Sequence, residues 1–332
     1  MSRRESNHVD MFTAEPQPAA DAPAAGDTSR REFLKAAGAM SAALLAARRT
    51  EAAASGERAQ LPQVPFGKFQ FSRLICGSNC FYAGSHLSSF VNHEMRQYYT
   101  DEQILKTLRR CQEVGINCWQ ISGRGNLDLY RRLCDEVGPM HAISLGRDPA
   151  ELPAIAKAGV IGVAHHGEVT DNLFKSGKLD EVHDFLKRVR DAGMMAGVST
   201  HMPAVVDAVE SKGWDLDYYM TCVYERHRSE EELKKLLGYV PLPAREVYLK
   251  EDPPRMFQAI QKTKRPCLAF KILAAGRLCD HKSMVEQAFR ETLQGIKPGD
   301  GVIVGIYDKF SNQPAEDAGF VRRYGAVKLA GG

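Results

Sequence analysis

Three things this chain lacks narrow what it can be. Its eight cysteines contain no pair of C-x2-C motifs, and the tightest spacing is Cys76-x3-Cys80. A structural zinc site or a disulfide framework is therefore not expected. Cys111, Cys118, Cys134, Cys222 and Cys267 fall in apolar strand or helix patterns and read as small core residues. There is no strong charge of either sign: the formal net charge is +3. No basic stripe interleaves with aromatics, so nucleic acid is not an expected partner. Arg109-Arg110, Arg131-Arg132 and Lys234-Lys235 sit in helical patterns and read as solvated helix faces. There is also no apolar run that fills a bilayer. The most membrane-like stretch, Ala36–Ala47, has 12 residues, too few to span, so no stable membrane anchor is expected.

What is present is ordinary globular material, 44% hydrophobic and 26% charged over 332 residues, enough for a large core. The first 60 residues stand apart. Residues 13–28 are rich in Ala, Pro and Asp without apolar periodicity and read as disordered. "TSRREFLKAAGAMSAALLAA" (28–47) follows. Arg30-Arg31, Phe33-Leu34 and Lys35, with the short apolar stretch behind them, resemble a twin-arginine export signal. Ala52-Ala53-Ala54 offers an A-x-A cleavage site before Ser55. The resemblance implies export as a folded protein by the twin-arginine translocation machinery, to a periplasmic or other extracytoplasmic location. Residues 1–60 are thus assigned to signal and leader, and 61–332 to the folded domain.

From residue 72 onward, short apolar runs alternate with amphipathic stretches. The runs cover 73–78, 118–122, 141–146, 160–166, 195–200, 218–224, 267–273 and 301–306. Between them lie helical patterns near 100–115, 126–137, 150–158, 180–193, 203–212, 253–263, 282–294 and 314–324. The first opens on a Thr cap, and both it and 180–193 close on Gly. Continuously apolar strands alternating with helices indicate a parallel sheet covered on both faces. Eight such units predict an α/β fold of the closed (β/α)8 TIM-barrel type. An open doubly wound sheet would carry a Gly-rich phosphate turn after an early strand, and "CGSNCFYAG" is not one. "PFGKFQFS" (65–72) reads as a hairpin closing the barrel bottom. Residues 225–252 form a long insertion at the end where such insertions shape the mouth of a site.

In a barrel of this kind the chemistry gathers at the C-terminal strand ends. Those ends carry Ser78 and Asn79, Gln120 and Ser122, Ser144, His165 and His166, then Ser199, Thr200 and His201. Cys222 and Tyr224, Lys271, and Tyr307 and Asp308 complete the set. A polar ring on apolar strands predicts a pocket for a small-molecule substrate. Lys271, inside "LAFKILAAG", must be paired or have its pKa lowered by desolvation. It could bind a substrate oxyanion or form a Schiff base. In "VIGVAHHGEVTD" (160–171), His165 or His166 could serve as proton donor. Alternatively one of them with His201, and Glu168, could hold a divalent ion, a metal being secondary to the proton-donor reading. Neighbouring strand residues face opposite ways, so both histidines are not expected in one pocket.

The order of "FGKFQFSRLICGSN", "EQILKTLRRCQEVGINCWQIS", "GVAHHGEVTD", "LKRVRDAGMMAGVSTH", "LAFKILAAGRL" and "GVIVGIYDKFSNQPAEDAGFV" resembles the aldo-keto reductases over residues 63–322. The resemblance implies a (β/α)8 barrel, NADP as cofactor, and reduction of a sugar or other carbonyl compound. Carried over position by position, it places Gln120 where the family has its catalytic Asp and Gly125 where it has Tyr. Ser144 or Leu145 stands for the Lys, and His165 or His166 for the retained His. With the Tyr gone, the family's poised proton donor is missing. Ser199 matches the nicotinamide-amide binder, with Thr200 in place of the usual Asn. Phe270 falls near the aromatic that stacks on the nicotinamide, and Lys309, Asn312 and Gln313 lie in the adenosine-phosphate loop. Three functions stand open at this level: a divergent oxidoreductase; a lyase, isomerase or hydrolase using His165, His166, His201 and Lys271; or a non-catalytic binding barrel.

Overall fold

The structure, a computed structural model, describes residues 60–326. The export-signal reading of residues 28–54 lies outside the described residues. Ten strands are present among the described residues. β1 (Gln63–Phe66) and β2 (Phe69–Ser72) form an antiparallel hairpin. β3 (Leu74–Gly77), β4 (Cys118–Ser122), β5 (His141–Gly146), β6 (Gly162–His165), β7 (Met195–Thr200), β8 (Tyr218–Cys222), β9 (Cys267–Phe270) and β10 (Gly301–Gly305) close into an all-parallel barrel, with β10 pairing β3. The eight apolar runs of the sequence are these eight strands.

Alternation along each strand sorts the core into two shells. Ile75, Cys118, Ile143, Ala164, Tyr218, Met220, Leu268 and Ile303 fill the lumen, together with Val64, Phe66 and Phe71 of the hairpin. Trp119, Ala142, Val163, Ala196, Val198, Ala269, Val302 and Val304 pack outward on the helices. Phe66 stacks on Phe71 at 4.3 Å and meets Tyr218 at 4.8 Å, so the hairpin plugs the barrel floor. Glycine at 197 makes room for a ring: a Cβ there would lie 2.4 Å from Cζ of Tyr218. The seam between the first and last strands is held by Arg73. Its buried guanidinium donates to the carbonyls of Asp300 (2.9 Å), Gly325 (3.0 Å) and Lys297 (3.1 Å).

Strict alternation of eight helices does not hold. Among the described residues there are eleven α-helices, the extra ones being Ser89–Tyr98, Gly167–Lys175 and Glu230–Leu237. All three follow strand C-termini and build up the mouth. Glu230–Leu237 carries a full capping box, Ser229 with Glu232, which is why a short exposed helix forms inside the insertion. The eight cysteines are all free; Cys111, Cys118, Cys222 and Cys267 are buried and Cys134 is half-buried. Among the described residues no helix is long and apolar enough to cross a membrane.

Candidate functional site

The C-terminal mouth holds a cavity of about 460 Å³ between the ends of β3, β9 and β10. Its floor is Gly77, Gln120, Leu145, Met220, Phe270 and Gly305, the last inward residues of their strands, and its rim includes Asn79, Cys80, His86, Lys271, Cys279, Gln313 and Asp317. Lys271 follows the last residue of β9 directly, at a left-handed φ of 58° that turns the chain out of the strand. Its Nζ makes no hydrogen bond or ion pair among the described residues. Burial pulls the amine down from its ordinary 10.5 to about 8, with Arg226 adding repulsion and the Cys222 and Cys80 thiols and Glu246 working the other way. Asp317, on helix Gln313–Tyr324, lines the same cavity, and its carboxyl also makes no hydrogen bond or ion pair among the described residues. Burial and the neighbouring Glu316 push its carboxyl up to about 8. The cavity thus contains a lysine and a carboxyl that both change charge close to neutral pH.

The insertion is tied over this mouth by ionic contacts. Glu246 meets both nitrogens of the Arg226 fork and accepts from Tyr248 Oη at 2.9 Å. It also bonds His86 Nδ1 at 3.2 Å, on the far side of the opening. Burial alone would raise the Glu246 carboxyl, but His86 and Arg226 hold it at about 2. Arg228 pairs with Asp252 and closes the base of the insertion.

Beside the cavity, a second cluster forms from three successive units. Asp171 lies on helix Gly167–Lys175, His201 just past β7, and His227 in the loop past β8. Asp171 Oδ2 sits 2.8 Å from His201 Nδ1 and 3.2 Å from His227 Nδ1. Thr200 Oγ1 donates to Asp171 Oδ1 at 2.5 Å, and the His201 backbone N–H donates to Oδ2 at 3.1 Å. Burial works to raise the Asp171 carboxyl, yet the bonds from His201, His227 and Thr200 hold it at about 2. Burial takes the His201 imidazole down to about 4. Phe270 joins the two features, lining the cavity and meeting the His201 ring edge-on at 5.5 Å.

The residues singled out in the sequence are distributed as follows. Gln120 is on the cavity floor, its amide nitrogen donating to the Ile121 carbonyl at 2.5 Å. His165 faces the helix layer, not the mouth: its Nδ1 bonds Thr170 Oγ1 at 2.7 Å and its ring meets Phe185 edge-on at 5.0 Å. His166, one residue on, turns to the mouth side. It lines a separate cleft with Ser122, Arg124, Arg147 and Glu151, and its Nδ1 is buried without a hydrogen-bond partner. Ser144 points away from the lumen and accepts from Gly123 N–H at 3.1 Å. Ser199 is buried under the start of helix Gly167–Lys175, where a Cβ on Gly167 would come within 2.9 Å of its Oγ. Thr200 faces outward to Asp171. Lys309 is at the surface, paired with Glu94 at 2.7 Å. Asn312 caps the last helix with its carbonyl, which accepts from Ala315 at 3.1 Å and Glu316 at 3.0 Å. Gln313 lines the cavity while its Oε1 accepts from Tyr307 N–H at 2.7 Å. Glu168 is exposed and stands apart from the Asp171 cluster.

Sequence reasoning gave no role to Asp171, His227, Asp317 or Glu246. Asp171 and His227 each lie within six residues of a strand end, the one signal that pointed to them. Asp317 lies on a helix and Glu246 ends a 3-10 turn, and only tertiary contacts, burial for Asp317 and the Arg226 and His86 pairs for Glu246, set them apart.

No protein-family model matches the chain, and no curated protein matches it. Solved structures do. Two from Pseudomonas aeruginosa described as aldo-keto reductases are each 14% identical. One aligns over 80% of this chain and 98% of its own at a TM-score of 0.53, the other over 81% and 96% at 0.51. A truncated 3-deoxy-D-arabino-heptulosonate 7-phosphate synthase from Thermotoga maritima is 11% identical over 80% of this chain and 94% of its own, at a TM-score of 0.49. At these identities the likeness is one of fold: the chain is a (β/α)8 barrel with aldo-keto reductases among its structural neighbours.

Proposed function

We propose that the protein is an enzyme acting on a small carbonyl- or hydroxyl-bearing compound, such as a sugar or an oxo acid, bound in the 460 Å³ cavity. Lys271 supplies the positive charge for a substrate oxygen. One observation carries this reading: a cation at the mouth of an apolar barrel, open to a cavity, with no hydrogen-bond or ion-pair partner among the described residues. An ammonium in that setting is costly unless a ligand oxygen completes it. A small-molecule site also favours this arrangement, a largely apolar concavity with a few convergent polar groups. Asp317, protonated over most of the neutral range, offers a neutral O–H in the same cavity.

Reduction by NADP is the second reading, favoured by the cavity's position over β9, β10 and β3, the strands carrying Phe270 and the Lys309–Gln313 loop. Against it stand Gln120 and Gly125 at the Asp and Tyr positions of the family it resembles, and the engagement of Lys309 by Glu94. A thermal-shift panel of sugars, oxo acids and hydroxy acids tests the first reading, with Lys271→Met alongside. Stabilisation of wild type by one compound class, lost in the variant, is expected; equal shifts in both proteins refute the role of Lys271. NADPH fluorescence titration on the same samples tests the second, which fails if emission and affinity show no binding.

A further inference from the structure

We propose that Asp171, His201 and His227 form a binding site for a divalent first-row transition ion, zinc or ferrous iron. Their ligand atoms all lie within 4.8 Å of one another. Asp171 Oδ2 receives His201 Nδ1 at 2.8 Å, His227 Nδ1 at 3.2 Å and the His201 backbone N–H at 3.1 Å, three donors on one oxygen. An ion among the three side chains would replace two of those donors with one shared positive centre.

The spacing suits such an ion. Two ligand atoms each about 2.1 Å from a six-coordinate ion and at right angles are about 3 Å apart, against about 3.4 Å around a tetrahedral one. The observed 2.8 and 3.2 Å bracket the six-coordinate spacing. Two imidazoles and one carboxylate are a recurring ligand set for zinc and non-haem iron, leaving positions open for water or substrate. The carboxylate is also braced: Thr200 Oγ1 fixes Oδ1 at 2.5 Å, and Thr200 is in turn fixed by the Met202 N–H at 3.0 Å. Outer partners of this kind orient a metal-binding carboxylate. Access is from the His227 side, where 18% of the side chain is exposed against 7% for His201 and none for Asp171. All three residues follow the C-terminal ends of β6, β7 and β8, on the face where barrels do their chemistry. The site adjoins the cavity through Phe270 but shares no residue with it, so it stands or falls independently of the role given to Lys271.

The test is metal content of the purified full chain. The protein is stripped with chelator, reloaded separately with Zn²⁺, Co²⁺ or anaerobic Fe²⁺, passed through gel filtration and analysed for metal. About one ion per chain is expected, with visible Co²⁺ absorption in the cobalt form. His227→Ala and Asp171→Asn are expected to lower the bound metal at least about tenfold. Asp171 is fully buried and its variant could misfold; His227 is partly exposed, so its variant, checked for folding by circular dichroism, keeps the test decisive. Metal below about a tenth of an ion per chain for all three ions, or undiminished metal in folded His227→Ala, overturns the proposal.

Discussion

Replacing Lys271 by methionine is expected to make the protein more stable while depriving it of ligand binding. Methionine keeps the length of the stem and removes the charge. Burial lowers this amine from 10.5 to about 8. At roughly 1.4 kcal/mol per tenfold, that shift corresponds to a penalty of about 3 kcal/mol for holding the ammonium in the folded barrel. The residue is half-buried and lines the cavity, which makes this the upper end. The sign follows from proton counting. Below pH 8 both folded and unfolded chains hold the proton, and the penalty is fully present. Between pH 8 and 10.5 the unfolded chain keeps the proton that the folded chain has lost, so wild-type stability rises with pH. Above 10.5 the penalty is gone. The variant should therefore melt higher at pH 7, by roughly 6–10 °C for a domain of this size, with the advantage shrinking toward pH 10. Differential scanning calorimetry of both proteins at pH 6.5, 8 and 10 measures it. A variant that is less stable than wild type at pH 7, or an advantage that does not change with pH, would show that Lys271 is satisfied within the fold and would refute the argument for a ligand.

Further expectations follow from single contacts. Asp317→Asn should have the opposite pH signature: a carboxyl raised from 3.8 to about 8 loses stability as pH rises between those values. The variant should match wild type near pH 4 and exceed it by a few kcal/mol at pH 9 in urea titrations. Gly197→Ala forces a Cβ to within 2.4 Å of the Tyr218 ring; a loss of about 1–3 kcal/mol in urea, without change of slope, is expected, and a neutral result would mean the ring can move aside. Arg73→Met takes away the guanidinium that donates to the Asp300, Gly325 and Lys297 carbonyls at the barrel seam, of which Lys297 keeps the Asp300 N–H, and should cost about 3 kcal/mol by the same measurement. Arg30→Lys with Arg31→Lys should leave the protein in the cytoplasmic fraction if the leader is a twin-arginine signal; unchanged export would remove that reading.

How much of this could be read in advance depended on the kind of physics involved. Strand positions were legible because a parallel barrel buries both faces of each strand, and eight apolar runs of the right length have few other uses. The helices within the loops were less so. Gly167–Lys175 begins one residue after the His165-His166 pair, so its polar start looked like the strand's end. Alternation predicted that the two histidines would part, and they do: His165 turns to Phe185 and Thr170, His166 to the mouth.

Sequence by itself determined the fold class, the floor-plugging hairpin, the insertion at the mouth, and Lys271 as a cation at an apolar strand end. These depend on periodicity and composition along the chain, which act locally. Only the tertiary structure decided which polar residues share a site. Asp171, His201 and His227 are separated by 30 and 26 positions, and the carboxylate serves its partners only because parallel pairing sets β6, β7 and β8 side by side. Packing likewise leaves Lys271 without a hydrogen bond or ion pair among the described residues and buries Asp317, since desolvation is set by what the rest of the chain packs around a group.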